Sequence, residues 1–167
     1  MKVAALLLLG GNVGDRAAAL RRAVAAVRRW DGVTVAAVSR VYETAPVGPS
    51  RRPYLNQAVR LATTRTPMGL LLEAKILEAA HGRRAGPRWG ERPLDVDLVA
   101  YGRTRLRTPW LSVPHPLMAS RAFALAPLAD VAPRWTLAGR KTVRALLAAM
   151  KPPPGTVRLH SAASIMI

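Results

Sequence analysis

The sequence contains no cysteine, a single phenylalanine and four lysines, and it holds only nine acidic residues against 26 basic ones. Without cysteine there is neither a disulfide framework nor a thiolate for catalysis or metal binding. No apolar run reaches the about 18 residues that a membrane-spanning helix needs. The apolar segment 1–9 is too short for a signal peptide and lacks its cleavage pattern, so we interpret it as a first strand and expect a cytoplasmic protein.

The length of 167 residues and the formal charge of +17 set the size and the surface of the protein. This length predicts one domain, residues 1–167, with a substantial buried core. Such an excess of positive charge is typical of proteins that bind the phosphate backbone of nucleic acids. The arginines are spread along the chain, however, and no basic strand is interleaved with base-stacking aromatics. A nucleic-acid-binding module is therefore kept as the alternative function and is not expected.

Hydrophobic periodicity predicts secondary structure in the order β, α, β, β, α, β. Asp15 is a candidate helix N-cap, and Thr66 followed by Pro67 begins a second helix. This order is that of a ferredoxin-like α+β sandwich, with a mainly antiparallel sheet, helices on one face and active-site loops on the other. The predicted strands are 3–9, 33–42, 54–64 and the one that holds Asp95, and the helices are 15–29 and 66–82. A loop is predicted for 43–53, short helices for 121–128 and 143–150, and an edge strand for 157–160.

Asp95 and Asp97 are the most informative residues, because they lie two apart in the apolar run 94–99. Side chains of a strand alternate between its faces, so both carboxylates point the same way, about 7 Å apart, and can bind hard cations together. They follow segment 82–93, which is rich in arginine, glycine and proline and is expected to be a long mobile loop suited to a polyphosphate. An alternating strand with one solvated face would show the same two aspartates.

Five motifs follow one another between residues 8 and 132. The strongest is Arg88-Trp-Gly-Glu-Arg-Pro-Leu-Asp-Val-Asp-Leu-Val99. The others are Leu9-Gly-Gly-Asn-Val-Gly-Asp-Arg16, the segment from Ser39 to Gly48 with Tyr-Glu-Thr-Ala-Pro-Val-Gly, Tyr54-Leu-Asn56, and Pro114-His-Pro-Leu-Met-Ala-Ser-Arg-Ala-Phe123. In these motifs the chain resembles the 6-hydroxymethyl-7,8-dihydropterin pyrophosphokinases of folate biosynthesis.

The resemblance implies an ATP-dependent pyrophosphoryl transferase, a 2-amino-4-hydroxy-6-hydroxymethyldihydropteridine diphosphokinase. Such an enzyme transfers the β,γ-pyrophosphoryl group of ATP to the hydroxymethyl group of the pterin and releases AMP. Asp95 and Asp97 are then expected to hold two Mg²⁺ ions against the polyphosphate, and ATP and the pterin are the small-molecule substrates of a monomer. An ordinary γ-phosphoryl kinase or a nucleotidyltransferase would share the metal pair and would release ADP or pyrophosphate instead.

The same resemblance assigns residues to the nucleotide. Arg83, Arg92 and His115 match catalytic positions, since a guanidinium fork suits phosphate oxygens and the histidine reaches the phosphates. Whether Arg84 or Arg88 is the second loop arginine stays open, and a solvated surface position is the alternative for Arg83. The residues expected to bind ATP are Leu98, Leu111, Ser112, His115, Arg121, Arg84 and Arg88.

A dihydropterin is a planar ring with an amide-like edge, so its site needs aromatic faces and paired donors and acceptors. Phe123 and Tyr54 are expected to sandwich the ring, with a place in the hydrophobic core as the alternative, and Asn56 is expected to bind the edge. The resemblance implies the pterin-binding set Gly10, Thr44, Pro46, Val47, Tyr54, Asn56, Trp89 and Phe123. Glu78 aligns with an acid close to the active site, and a surface position is equally consistent with its spacing.

Overall fold

The computed structural model describes residues 1–46, 52–82, 91–138, 141–151 and 157–160. Its strands are β1 (Val3–Gly11), β2 (Val33–Val38), β3 (Tyr42–Thr44), β4 (Tyr54–Thr63), β5 (Asp95–Tyr101), β6 (Leu106–Arg107), β7 (Ser112–Val113), β8 (Thr136–Ala138), β9 (Lys141–Thr142) and β10 (Val157–Leu159). Its helices are α1 (Arg16–Val27), α2 (Pro67–Ala80), α3 (Ala122–Val131) and α4 (Val143–Ala149), and a 3₁₀ turn covers Met118–Ser120. All six elements of the predicted β, α, β, β, α, β order are present.

The two long helices begin where the sequence predicts. The Asp15 side chain accepts a hydrogen bond from the Ala18 N–H at the start of α1, and Thr66 accepts one from the Gly69 N–H at the start of α2. Each cap satisfies an N–H group that the first helical turn cannot pair internally. None of the described helices has the length and apolar character that crossing a membrane requires.

The central sheet has six strands, and every pair in it is antiparallel. Strand β1 lies between β4 and β5, while both β2 and β3 pair with β4, and β10 extends the sheet beyond β3. The four long strands therefore follow the order β5-β1-β4-β2, which is that of a split βαβ arrangement. The predicted α+β class with a mainly antiparallel sheet is confirmed, and so is the edge strand at 157–160.

The predicted single strand over 33–42 is wrong, because the chain breaks at Ser39 and Arg40 and pairs again as β3. The Ser39 hydroxyl accepts the Ala58 N–H at 2.8 Å, and the Arg40 N–H turns away to Oδ2 of Asp130 at 3.1 Å. Strand β3 then includes Glu43 and Thr44, which the sequence assigned to a loop. A side chain from α3 thus satisfies a backbone group that the sheet leaves unpaired.

Helices cover both faces of the sheet. One core lies between the sheet and helices α1 and α2, and a second core joins the opposite face to α3 and the start of α4. The sequence predicted helices on one face and loops on the other. Helix α3 reaches the second face because almost its whole surface is apolar, with Leu125, Leu128 and Val131 buried there, and a helix of that kind must be enclosed.

Candidate active site

A pocket opens on the second face of the sheet, beside the start of α3, with a cavity volume of about 260 Å³. On this face of β1 and β4, the side chains near the middle of the sheet, such as Leu6 and Ala58, belong to the second core. Toward the pocket, small or polar residues such as Gly10 and Asn56 take their place. The lining residues are Leu8, Gly10, Thr44, Tyr54, Asn56, Arg92, Asp95, Asp97, His115, Leu117, Arg121 and Phe123.

Strand pairing fixes the spacing of the pocket floor. Gly10 of β1 is the register partner of both Asn56 on β4 and Asp95 on β5, and Leu8 is the partner of Asp97. Neighbouring strands lie about 4.8 Å apart, so Asn56 and Asp95 stand roughly 10 Å from each other across the glycine. A Cβ at position 10 would lie 3.0 Å from Oδ1 of Asn56, so the missing side chain leaves room between the two polar groups.

Asp95 and Asp97 point to the pocket, while Val96 and Leu98 between and beyond them enter the first core. Burial, followed by the negative charge of Asp95, raises the pKa of Asp97 to about 7. Two carboxylates that repel each other in a partly buried position fit a divalent cation, since the ion offsets their charge. Among the described residues, no group of three or more His, Cys, Asp or Glu side chains could hold a metal ion.

Glu78 lies behind the carboxylate pair. The residue is 2% exposed, its Oε1 accepts the Val96 N–H at 2.8 Å, and Lys75 donates to its Oε2 at 3.0 Å. The surface position that the sequence left open for Glu78 is therefore wrong. Glu78 does not line the pocket, and instead it holds the backbone between Asp95 and Asp97.

His115 and Arg121 form the wall above the carboxylates. The His115 N–H donates to the carbonyl of Val99 at 2.8 Å, and its Nδ1 accepts the Leu117 N–H at 3.2 Å. Burial, and next the positive charge of Arg121, lowers the pKa of the His115 imidazole. A neutral imidazole whose Nδ1 accepts a hydrogen bond carries its proton on Nε2, where it can donate to an anion.

Aromatic and amide groups occupy the other end of the pocket. The Arg121 guanidinium lies 5.6 Å from the centre of the Phe123 ring, within the range of a cation–π contact. Nδ2 of Asn56 donates to Oγ1 of Thr44 at 3.0 Å, and the two side chains are almost completely buried. This contact fixes the orientation of the Asn56 amide next to Tyr54, so the pocket offers flat apolar faces and a fixed polar edge.

Ten of the residues that the sequence assigned to a site line this one pocket. Others lie elsewhere: Leu98 and Leu111 are buried in the first core, and Pro46 is exposed outside the lining. Ser112 lines a neighbouring cavity on the β6–β7 hairpin with Arg105, Arg107 and Pro116. The assigned residues Val47, Arg83, Arg84, Arg88 and Trp89 lie outside the described residues.

Two lining residues, Leu8 and Leu117, were not predicted. Leu8 could have been found from the sequence, because strand alternation puts it on the same face as Gly10. Leu117 had no comparable pattern, since it follows the histidine in a stretch without periodicity. Its place in the pocket depends on the turn that leads into α3.

Comparison with known proteins gives sequence relatives over most of the chain. Residues 6–133 match the family described as 7,8-dihydro-6-hydroxymethylpterin-pyrophosphokinase (HPPK). The chain is 43% identical over 128 residues to the 2-amino-4-hydroxy-6-hydroxymethyldihydropteridine pyrophosphokinase of Bacillus subtilis, covering 76% of this chain and 77% of that one. It is 42% identical over 149 residues to the protein of the same name from Methylorubrum extorquens, covering 89% and 94%.

Solved structures share the fold at low identity. A crystal structure of HPPK-DHPS in complex with substrates superposes with a TM-score of 0.71 at 11% identity, covering 88% of this chain and 43% of the other. Plasmodium falciparum HPPK-DHPS with pteroate gives a TM-score of 0.69 at 15% identity, covering 89% and 42%. The chain thus spans less than half the length of these solved proteins, and the likeness concerns the fold alone.

Proposed function

The chain belongs to the 7,8-dihydro-6-hydroxymethylpterin-pyrophosphokinase family, and on that premise we propose that the pocket on the second sheet face is its active site. The activity is the transfer of pyrophosphate from ATP to 6-hydroxymethyl-7,8-dihydropterin in folate biosynthesis. ATP is the co-substrate, and AMP is what remains of ATP when its β- and γ-phosphates leave.

One observation carries the assignment of roles: Asn56, Gly10 and Asp95 stand in a single row across β4, β1 and β5. The amide end of the row suits a pterin edge and the carboxylate end suits a metal with a polyphosphate. The roughly 10 Å between them leaves room for the hydroxymethyl group and the β-phosphorus to meet above Gly10. A floor of this kind supports transfer between two bound substrates.

At the nucleotide end, Arg92, His115 and Arg121 provide the donors. The pterin hydroxyl attacks the β-phosphorus, and the bond between the β-phosphorus and the oxygen that bridges to the α-phosphate breaks. Negative charge therefore grows on the departing AMP. Donors already in place stabilise that charge without rearrangement in the transition state. The neutral His115 imidazole donates from Nε2, and the arginines contribute full positive charge.

Asp95 and Asp97 are proposed as ligands of Mg²⁺, two ions in all. When bound, Mg²⁺ supplies positive charge to the phosphate oxygens and orders them. Glu78 supports this role from behind, because its hydrogen bond to the Val96 N–H fixes the strand that carries both carboxylates. Glu78 is therefore a positioning residue.

At the pterin end, Phe123 and Tyr54 are proposed to stack on the ring, and Asn56 to pair with its edge. Thr44 orients the Asn56 amide, and Gly10 permits close approach. Because Arg121 also lies over Phe123, one guanidinium touches both the phosphate side and the pterin side of the pocket. This arrangement ties the position of the stacking ring to that of the nucleotide.

Further contacts are proposed from the family resemblance. For ATP these are Arg83, one of Arg84 and Arg88, the backbone near Leu98 and Leu111, and Ser112 in the neighbouring cavity. For the pterin they are Pro46, Val47 and Trp89. We also propose that residues 1–167 form one catalytic domain, active as a cytoplasmic monomer with no nucleic-acid partner.

The experiment is a product assay with purified protein, ATP, Mg²⁺ and 6-hydroxymethyl-7,8-dihydropterin, in which adenine nucleotides are separated by chromatography. Pterin-dependent AMP is the expected product. ADP would identify a γ-phosphoryl kinase, and pyrophosphate would identify a nucleotidyltransferase. Absence of turnover, together with salt-sensitive nucleic-acid binding that survives Asp95→Ala and Asp97→Ala, would support the binding module instead.

A further inference from the structure

We propose that Asn12 is a positioning residue for Arg92, and this inference rests on the role proposed for Arg92 above. Asn12 follows the last residue of β1, and it is 1% exposed. It does not line the pocket, and it is not among the site residues that the sequence assigned. Buried amide side chains are costly unless they are hydrogen-bonded, so its contacts indicate what it does.

Asn12 and Arg92 exchange two hydrogen bonds. The Asn12 N–H donates to the Arg92 carbonyl at 3.0 Å, and the Arg92 N–H donates to Oδ1 of Asn12 at 2.8 Å. The register between β1 and β5 ends at Gly10 and Asp95, so this exchange lies beyond the last regular pair. A side-chain carbonyl here takes the place of the backbone acceptor that a longer β1 would have provided.

The backbones of β1 and of the segment before β5 lie very close together at this exchange. A Cβ at Gly11 would lie 2.6 Å from the carbonyl oxygen of Pro93, so the glycine is required for contact between the two segments. Pro93 restricts Arg92 to extended backbone and has no N–H of its own to bind β1. Because Pro93 has no N–H, the N–H and the carbonyl of Arg92 are the backbone groups through which Asn12 holds this segment, and Oδ1 of Asn12 accepts the N–H.

The position of this backbone decides where the Arg92 guanidinium acts. Its Nη1 lies 3.2 Å from Oδ2 of Asp95, and the side chain also lines the pocket. A shift of about 1 Å in a catalytic group can reduce a rate by about a hundredfold. Asn12 thus acts on the reaction through Arg92, without itself contacting a substrate.

The test compares wild type with Asn12→Ala, Arg92→Ala and the double variant in the AMP-forming assay, with amide hydrogen exchange at the Arg92 N–H as a second measurement. We expect Asn12→Ala to lower kcat by about a hundredfold, with much smaller changes in KM for both substrates, and to speed exchange at Arg92. In the Arg92→Ala background, the same change should cost little more. An equal loss in both backgrounds, or unchanged exchange at Arg92, would overturn the proposal.

Two further variants at position 12 and one control variant keep the test decisive. Asn12→Asp retains an acceptor oxygen in the same place and should recover most of kcat and the slow exchange. The Asn12→Ser side chain is too short to reach the Arg92 N–H, so this variant should show the losses expected of Asn12→Ala. It replaces Asn12→Ala in the test if Asn12→Ala does not fold. Failure of Asn12→Asp to recover either property counts against the proposal. Thr64→Ala removes another side-chain contact to a backbone carbonyl, that of Gly32, and should leave kcat unchanged.

The proposed activity and the role of Asn12 are tested by different measurements. If wild-type protein forms no pterin-dependent AMP, the proposed function is wrong, while exchange at the Arg92 amide still reports whether Asn12 holds this backbone. If wild type and Arg92→Ala behave as expected and Asn12→Ala matches wild type, the role of Asn12 alone is wrong.

Discussion

The Arg92 guanidinium donates from Nη1 to Oδ2 of Asp95 across 3.2 Å, and each of the two side chains is about one quarter exposed, at 26% and 28%. This ion pair joins the proposed phosphate-binding arginine to a proposed metal ligand. Because exposed pairs of this kind contribute little to stability, its importance lies in where it holds the arginine.

Arg92→Ala should lower kcat by about 10² to 10³-fold, because a lost donor to the transition state costs about that much, while the Kd for ATP should change far less. Arg92→Lys keeps the positive charge but not the forked guanidinium, and its kcat should lie between those of wild type and Arg92→Ala. Steady-state kinetics and calorimetry provide the measurements. Arg29→Ala, in the exposed turn after α1, is the matched control, and an unchanged kcat in Arg92→Ala would refute the role.

Asp97→Asn should abolish measurable AMP formation, and the chelator EDTA should do the same to wild type. In the wild type, the Mg²⁺ concentration for half-maximal activity should rise as the pH falls below about 7, because the raised pKa of Asp97 leaves a proton that the cation must displace. Titrations at several pH values measure this shift. A Mg²⁺ requirement that is independent of pH would contradict it, and Asp31→Asn controls for loss of an exposed carboxylate.

Glu78→Ala should lower the free energy of unfolding by about 1 to 3 kcal/mol, since the buried Val96 N–H loses its acceptor, and should also reduce kcat. Glu78→Gln keeps an acceptor oxygen and should retain most of both. Denaturant unfolding and AMP formation measured on the same samples test this. Lys75→Gln removes only the half-exposed partner, so a loss as large as that of Glu78→Ala would show that the ion pair matters instead.

Phe123→Ala should raise KM for the pterin about tenfold, because stacking on an aromatic ring contributes on the order of 1 kcal/mol beyond buried area. KM for ATP should move less, although the Arg121 contact with the ring makes some change expected. Phe123→Tyr preserves the ring and serves as the control. Equal effects on both substrates would indicate a core role for Phe123.

Asp130 gives a prediction for stability in acid. Burial alone would raise the pKa of its carboxyl, but hydrogen bonds from the Arg40 side chain and backbone and from Tyr42 hold that pKa below its usual value. The stabilisation is therefore present above the unfolded pKa of about 4 and is lost as the pH falls through the lower folded value. Asp130→Asn should be less stable at neutral pH and should lose less on acidification, as thermal unfolding at pH 7 and pH 3 can show.

Local pattern was enough for several features of this protein. The alternation around Asp95 and Asp97 placed both carboxylates on one side, and Asp15 and Thr66 marked the helix starts. These features depend on neighbours within about four residues, where periodicity and capping act. The family resemblance added the remaining site residues.

Tertiary structure decided what distant segments do to each other. The break between β2 and β3 depends on Asp130, 90 residues from Arg40 along the chain, and the Arg92 N–H is bound by Asn12, 80 residues away. Likewise, only the packing of α3 on the second sheet face brings Phe123 to the floor formed by Gly10 and Asn56. The sequence by itself determined which residues could do the chemistry, whereas contacts between separate segments decided where they meet, because such contacts form only when the whole core packs.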